Sequence, residues 1–151
     1  MKHYAPPLPP SRALAFHPVP LRSRRDGWTP LRQADFIGQL AITCSVSAAA
    51  RRVGMARESA YRLRGRAGAA SFAAAWDAAL GLPAAAPKIT LPDLYQRIAN
   101  GTLQPVVQRG RLLGVVQKHD NAAILILLAR LARAAARTRQ AAESHSTKMA
   151  T

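Results

Sequence analysis

The sequence predicts a mainly α-helical chain with one short β-hairpin late in it. Three observations lead there. Alanine supplies 32 of the 151 residues; it favours helices and buries little apolar area, so the core is expected to be small and helix-lined. Apolar residues recur at helical spacing, most plainly Phe72, Ala75, Trp76, Ala79 and Leu80, at i, i+3, i+4, i+7 and i+8. The exception is a pair of β-rich runs, Val106-Val107 and Leu112 to Val116, on either side of Gly110, which reads as a hairpin turning at that glycine.

Residues 1–27 hold six of the 11 prolines together with Lys2, Arg12, Arg22, Arg24 and Arg25, and show no apolar periodicity. They are expected to form a disordered basic arm, whose plain role is solubility and whose sharper one is for Arg22, Arg24 and Arg25 to follow phosphates or enter a minor groove. Order is expected from Trp28. Thr29 as N-cap and Pro30 at the first position predict a helix over 30–43, with Phe36, Ile37, Leu40 and Ala41 inward. Ser47 is expected to cap a second helix reaching Val53, stopped by Gly54. A third helix spans 57–64, and Ser71 is expected to cap a fourth. The run GLPAAAP, 81–87, reads as a linker. A helix from Pro92 to Asn100 is stopped by Gly101, and after the hairpin Asp120 caps a last helix to about Ala142. That helix carries an apolar stripe of Ile124, Leu127, Leu128 and Leu131 and a basic one of Arg130, Arg133 and Arg137. The expected organisation is therefore an arm (1–27), a helical domain (28–82), a helix, hairpin and helix module serving oligomerisation (83–142), and a disordered tail (143–151).

The most informative segment is Val46 to Gly65, VSAAARRVGMARESAYRLRG. A helix-turn-helix needs a small residue where its helices touch, a glycine at the turn, and apolar residues at fixed offsets. Ala50 and Gly54 meet the first two demands, and Ala49, Val53, Met55, Ala60 and Leu63 fall on the inner faces. The helical domain is thus expected to be a helix-turn-helix DNA-binding domain, its third helix entering the major groove. Outward positions on that helix are Arg57, Glu58, Tyr61, Arg62 and Ser59. Arg57 and Arg62 are suited to grip guanine, and Glu58 to accept from cytosine or to steady the helix N-terminus. Tyr61 is expected at a phosphate, at a thymine methyl, or packed on the fourth helix. Arg51, Arg52, Arg64 and Arg66 are expected at phosphates. Ala56 stands where Ser or Thr would normally cap the recognition helix.

Charge points the same way. The chain has 22 Lys and Arg against 7 Asp and Glu, a formal net charge of +15, and 18 of the cations are Arg. An acid deficit of this size implies a polyanion partner. One cysteine, Cys44, allows neither a disulfide within the chain nor a cysteine-based zinc site, and it is expected to be a small buried residue between the first two helices. There is no phosphate-binding glycine loop, no paired carboxylate, and the four histidines are scattered; a non-enzymatic protein with no cofactor and no metal is expected. No apolar run suits a signal peptide or a membrane span, so a cytoplasmic protein without membrane partners is expected.

The run DFIGQLAITCSVSAAARRVGMARESAYRLR, followed by SFAAAWDAAL and later by LYQRIANGTLQPVVQRGRLLGVVQKHDNAAILILLARL, resembles the helix-turn-helix region and following segment of small phage or prophage proteins akin to the terminase small subunit. It covers residues 28–132, with Cys44 where glycine is usual. The resemblance implies double-stranded DNA, a homo-oligomer and a terminase large subunit as partners. The same residues also suit a dimeric helix-turn-helix transcriptional regulator. A non-catalytic RNA- or protein-interaction module ranks below both, because exposed aromatics are scarce.

Overall fold

The structure, a computed structural model, describes residues 15–22, 24–83 and 89–150. It is mainly helical with a two-stranded antiparallel hairpin. Helix α1 (Pro30–Thr43) starts where the Thr29 hydroxyl accepts from the Arg32 N–H at 3.2 Å, with Pro30 in its first turn. At its other end Cys44 takes a left-handed conformation (φ 51°) and is exposed, not buried as expected. That reversal brings the next helix in early. Ser45, not Ser47, caps α2 (Val46–Arg52), its hydroxyl accepting from the Ala48 N–H, and Ser47 is an exposed residue within the helix. Helix α3 (Arg57–Arg64) has the expected bounds. Helix α4 (Ala70–Ala79) starts before Ser71 and has no side-chain cap, because the Ser71 hydroxyl instead accepts the His17 N–H at 2.9 Å.

Helix α5 (Leu91–Asn100) opens on a capping box between Thr90 and Asp93. Hydrogen bonds from the Thr90 hydroxyl and N–H hold the Asp93 carboxyl below its ordinary range. Strands β1 (Thr102–Gln108) and β2 (Arg111–Lys118) are joined by Arg109-Gly110, both with positive φ, as a two-residue hairpin turn requires. The register slips between Val106 and Val107, leaving Leu113 without a partner opposite. Helix α6 (Asn121–Met149) is capped by Asp120, which accepts from the Ala123 N–H at 3.0 Å. It runs through 143–149, correcting the expectation of a disordered tail: no Pro or Gly follows Asp120 to stop it. Residue 151, residues 84–88 with most of the expected linker, residue 23 and the first 14 residues of the arm lie outside the described residues.

All three phenylalanines and both tryptophans meet in one cluster. Phe36 is its hub, with ring centroids 5.4 Å from Trp28, 6.1 Å from Phe72 and 5.0 Å from Trp76; Phe16 joins through Phe72 at 5.8 Å. The presence of Phe16 there shortens the expected arm: residues from 15 onward, read as part of it, are held to the core, and the expectation for residues 1–14 lies outside the described residues. Phe16 and Val19 are buried, and Phe16 exchanges two backbone hydrogen bonds of 2.9 Å with Leu103. Gln33, buried on α1, accepts from the Val19 N–H at 2.7 Å and donates to the carbonyls of Val19 and Trp28. An extended segment held by one aromatic anchor and one glutamine clamp has no periodicity to read.

The hairpin lies on α1, so the two modules expected on either side of residue 82 share one core. Leu103 packs in the same cluster as Phe36. Gly38 permits the approach: a Cβ there would fall 2.7 Å from a Leu112 methyl and 3.1 Å from Pro105. A two-stranded hairpin is marginal alone, and α1 supplies the surface it needs.

His17 fastens the segment to the second half of the chain. Its Nδ1 donates to the Gly101 carbonyl at 2.9 Å, and its Nε2 accepts from Arg97 Nε, which itself lies 3.3 Å from Asp120. Burial is the main cause that lowers the His17 pKa, and the Arg97 guanidinium adds to it. The folded state therefore releases the proton that the unfolded chain holds. The stability gained is complete above the ordinary histidine value of 6.5 and falls as pH drops below it, until the lowered folded value is passed.

Two outcomes are expected. The melting temperature of the protein falls between about pH 7.5 and about pH 5.5, and a His17→Asn variant, which keeps a donor and an acceptor, loses that slope. Gln33→Ala leaves the Val19 N–H and two carbonyls buried without partners and destabilises the fold by about 2–4 kcal/mol in denaturant unfolding.

Candidate nucleic-acid interface

Helices α2 and α3 pack on the core through small residues. Ala49, Ala50, Ala60 and Leu63 are buried, and Val53 and Met55 lie partly buried against the cluster. The turn between the helices is closed by the Met55 N–H donating to the Ala50 carbonyl at 2.9 Å, with Gly54 left-handed at φ 73°. A Cβ on Gly54 would meet nothing within 4 Å, so the turn needs glycine for its backbone angle and not for room.

The first helix and the segment before it fix the height of α3. Trp28 donates its indole N–H to the Ser59 hydroxyl at 2.7 Å. Arg32 donates to the Gly27 carbonyl and lies 3.9 Å from the Met55 sulfur. At the far end Arg64 pairs with Asp77 at 2.7 Å and lies over the Trp76 ring at 5.2 Å. These contacts make two of the expected contact residues, Ser59 and Arg64, supports of the helix: the serine hydroxyl is taken by an indole and the guanidinium by a carboxylate and a ring.

The rest point outward. Arg57, Glu58 and Arg62 are exposed, Glu58 in the first turn of the helix; Ala56, before it, makes no side-chain cap bond. Tyr61 is 48% exposed and does two things at once. One side of its environment is Trp76 of α4, at 5.3 Å; on the other the Arg57 guanidinium lies 5.9 Å from its ring. Tyr61 thus stiffens Arg57 while staying on the surface. Arg51 and Arg52 are exposed on α2, Arg52 donating to the Gln39 side chain at 2.8 Å, and Arg66 is exposed just beyond α3. Among the described residues the ion pairs involve only Arg64, Arg97 and His17 as cations, so Arg57, Arg62, Arg51, Arg52 and Arg66 are neutralised by no carboxylate.

The segment before α1 adds to this surface. Arg22 and Arg24 line a groove with Met55, Ser59 and Arg66, and an adjoining hollow is walled by Trp28, Arg62 and Arg66. Two of the three arm arginines are therefore set beside α3, positioned by the burial of Val19 and Trp28 on either side of them. The basic run itself does not show this; the local signal is the pair of apolar residues, Val19 and Trp28, that flank it. Among the described residues no group of three or more His, Cys, Asp or Glu could hold a metal ion, and no helix is long and apolar enough to cross a membrane.

The turn supplies a test of its own. Gly54→Val is expected to cost more than about 2 kcal/mol in thermal unfolding, because a β-branched residue resists the left-handed angle, and Gly54→Asn less than about 1 kcal/mol. If crowding set the cost, the two variants would be equally damaged.

No family model matches the chain, and no curated protein or solved structure matches it either.

Proposed function

We propose that the chain is a sequence-specific binder of double-stranded DNA, with α2, the Gly54 turn and α3 acting as a helix-turn-helix. The observation that carries this reading is the two-sidedness of α3. Its inner face is anchored by Ala60, Leu63, Ser59 and Arg64, and its outer face presents Arg57 and Arg62 with no carboxylate to neutralise them. A short helix held rigidly at both ends, with guanidinium groups outward, is what direct reading of base edges in a major groove requires. Glu58 between them suits a cytosine amino group. Arg51, Arg52 and Arg66, with Arg22 and Arg24 of the preceding segment, suit the flanking phosphates.

The role follows from the resemblance to terminase small subunits: recognition of phage or prophage DNA, in company with a second copy of the chain and a large packaging subunit. The net charge of +15 favours a polyanion partner independently of that resemblance.

The test is sequencing of genomic fragments retained by the purified protein at moderate salt, beside an Arg57→Ala/Arg62→Ala variant. The wild type is expected to enrich particular sites, and each lost guanine contact to reduce that enrichment by about 5-fold to about 150-fold, equivalent to about 1–3 kcal/mol. Arg52→Ala should weaken retention of all fragments alike. Repeats beside packaging genes support the terminase role, and palindromes at promoters a dimeric regulator instead. Equal retention without enrichment in wild type and double variant would overturn the reading of α3.

A further inference from the structure

The hairpin ends in a basic tip that the fold does not neutralise. Arg109 and Arg111 are exposed there, and among the described residues neither is in an ion pair. Arg109 takes a left-handed angle, φ 50°, at the first position of a two-residue turn, where Asn, Asp or Gly is favoured. Arginine is strained at such an angle, and strain kept for an unpaired surface charge calls for a contact outside the fold.

The tip is also held at a definite place. The base of the hairpin, Leu103 and Gln117, shares a hollow with Thr29, Pro30 and Leu31 at the start of α1. Pro105 and Leu112 meet Gly38 in the second half of that helix. The strands therefore run toward the C-terminal end of α1. From Gly38 to Thr43 the helix has about 7.5 Å left, whereas Arg109 lies about 13 Å along the strand from Pro105. The hairpin is thus long enough to carry its arginines past the end of α1, where Cys44 turns the chain into α2. Gln39, the residue after Gly38, accepts from Arg52 of α2 at 2.8 Å. Hairpin and basic end of α2 rest on consecutive residues of one helix.

No carboxylate interrupts this end of the molecule. The chain has no Asp or Glu between Asp35 and Glu58, nor between Asp93 and Asp120. The first stretch holds the second half of α1 and all of α2, and the second holds the whole hairpin. We propose that the Arg109–Arg111 tip grips the phosphate backbone of duplex DNA, beside the phosphates suited to Arg51 and Arg52. Guanidinium forks fit phosphate oxygens, and such contacts position a protein on the duplex without reading its sequence. The class of ligand rests on the DNA reading above; the contact itself lies outside the helix-turn-helix.

The experiment measures the affinity of the full chain for a short duplex of mixed sequence across a salt series. Arg109→Asn gives the Asn-Gly pair that a two-residue turn favours, so this variant is expected to melt no lower than the wild type. It should nonetheless bind more weakly. The slope of log affinity against log salt should become shallower by about 0.9, and by about 1.8 when Arg111→Gln is added. Arg133→Gln/Arg137→Gln removes the same charge from the exposed length of α6 and should leave the slope unchanged. Tip variants with the wild-type slope, or an α6 variant whose slope falls as far, would overturn the proposal. The reading of α3 fails separately, through enrichment that survives Arg57→Ala/Arg62→Ala. A wild type that binds no duplex would overturn both.

Discussion

Phe36 is the residue on which the other elements depend. An alanine-rich chain has little apolar bulk to bury, and here most of what is buried belongs to one cluster whose hub is a ring on α1. Trp28 brings the entry to α1 against it, Phe72 and Trp76 bring α4, and Phe16 is held through Phe72. Because the aromatic residues do the filling, the helices that lie on the outside of the cluster can be built from alanine, whose small side chain lets α2 and α3 approach closely. The orientation of α3 is thus a consequence of how five rings pack some distance behind its exposed face.

A second layer of constraint is polar. Gln33 and His17 each join parts of the chain that share no secondary structure, and both act through backbone groups that would otherwise be buried without partners. Gln33 holds the extended segment to α1; His17 holds it to the start of the hairpin and, through Arg97 and Asp120, to the beginning of α6. The segment therefore does for this fold what a further strand or helix does elsewhere. It also carries Arg22 and Arg24 to the side of α3, so the placement of two surface cations depends on a buried glutamine.

What could be read from the sequence is what local chemistry decides. The bounds of α1 and α3 follow from Thr29-Pro30, the spacing of Ala60 and Leu63, and the glycines nearby. The turn at Gly54 and the exposure of Arg57 and Arg62 follow from the same spacing. What could not be read involves partners far apart in the chain. Ser71 looks like a cap until His17, 54 residues away, takes its hydroxyl. Ser59 and Arg64 look like surface contacts until Trp28 and Asp77 claim them. Gly38 looks like a weak point in a helix and is the place where the hairpin comes to rest. Ser47 lost to Ser45 for a smaller reason: Cys44 adopts a backbone conformation that few residues other than glycine take readily.

Both tryptophans of the chain touch α3, one through its indole N–H on Ser59 and the other through its ring beneath Tyr61 and Arg64. Indole emission responds to hydrogen bonding at the ring nitrogen and to cations near the ring face. The protein thus carries its own optical gauge of α3, one indole at the first half of the helix and one at the second. Light collected from the unlabelled chain reports on that eight-residue helix together with the Phe36 ring of α1, against which both indoles also lie, and a ligand that settles on the outer face of α3 announces itself without a dye.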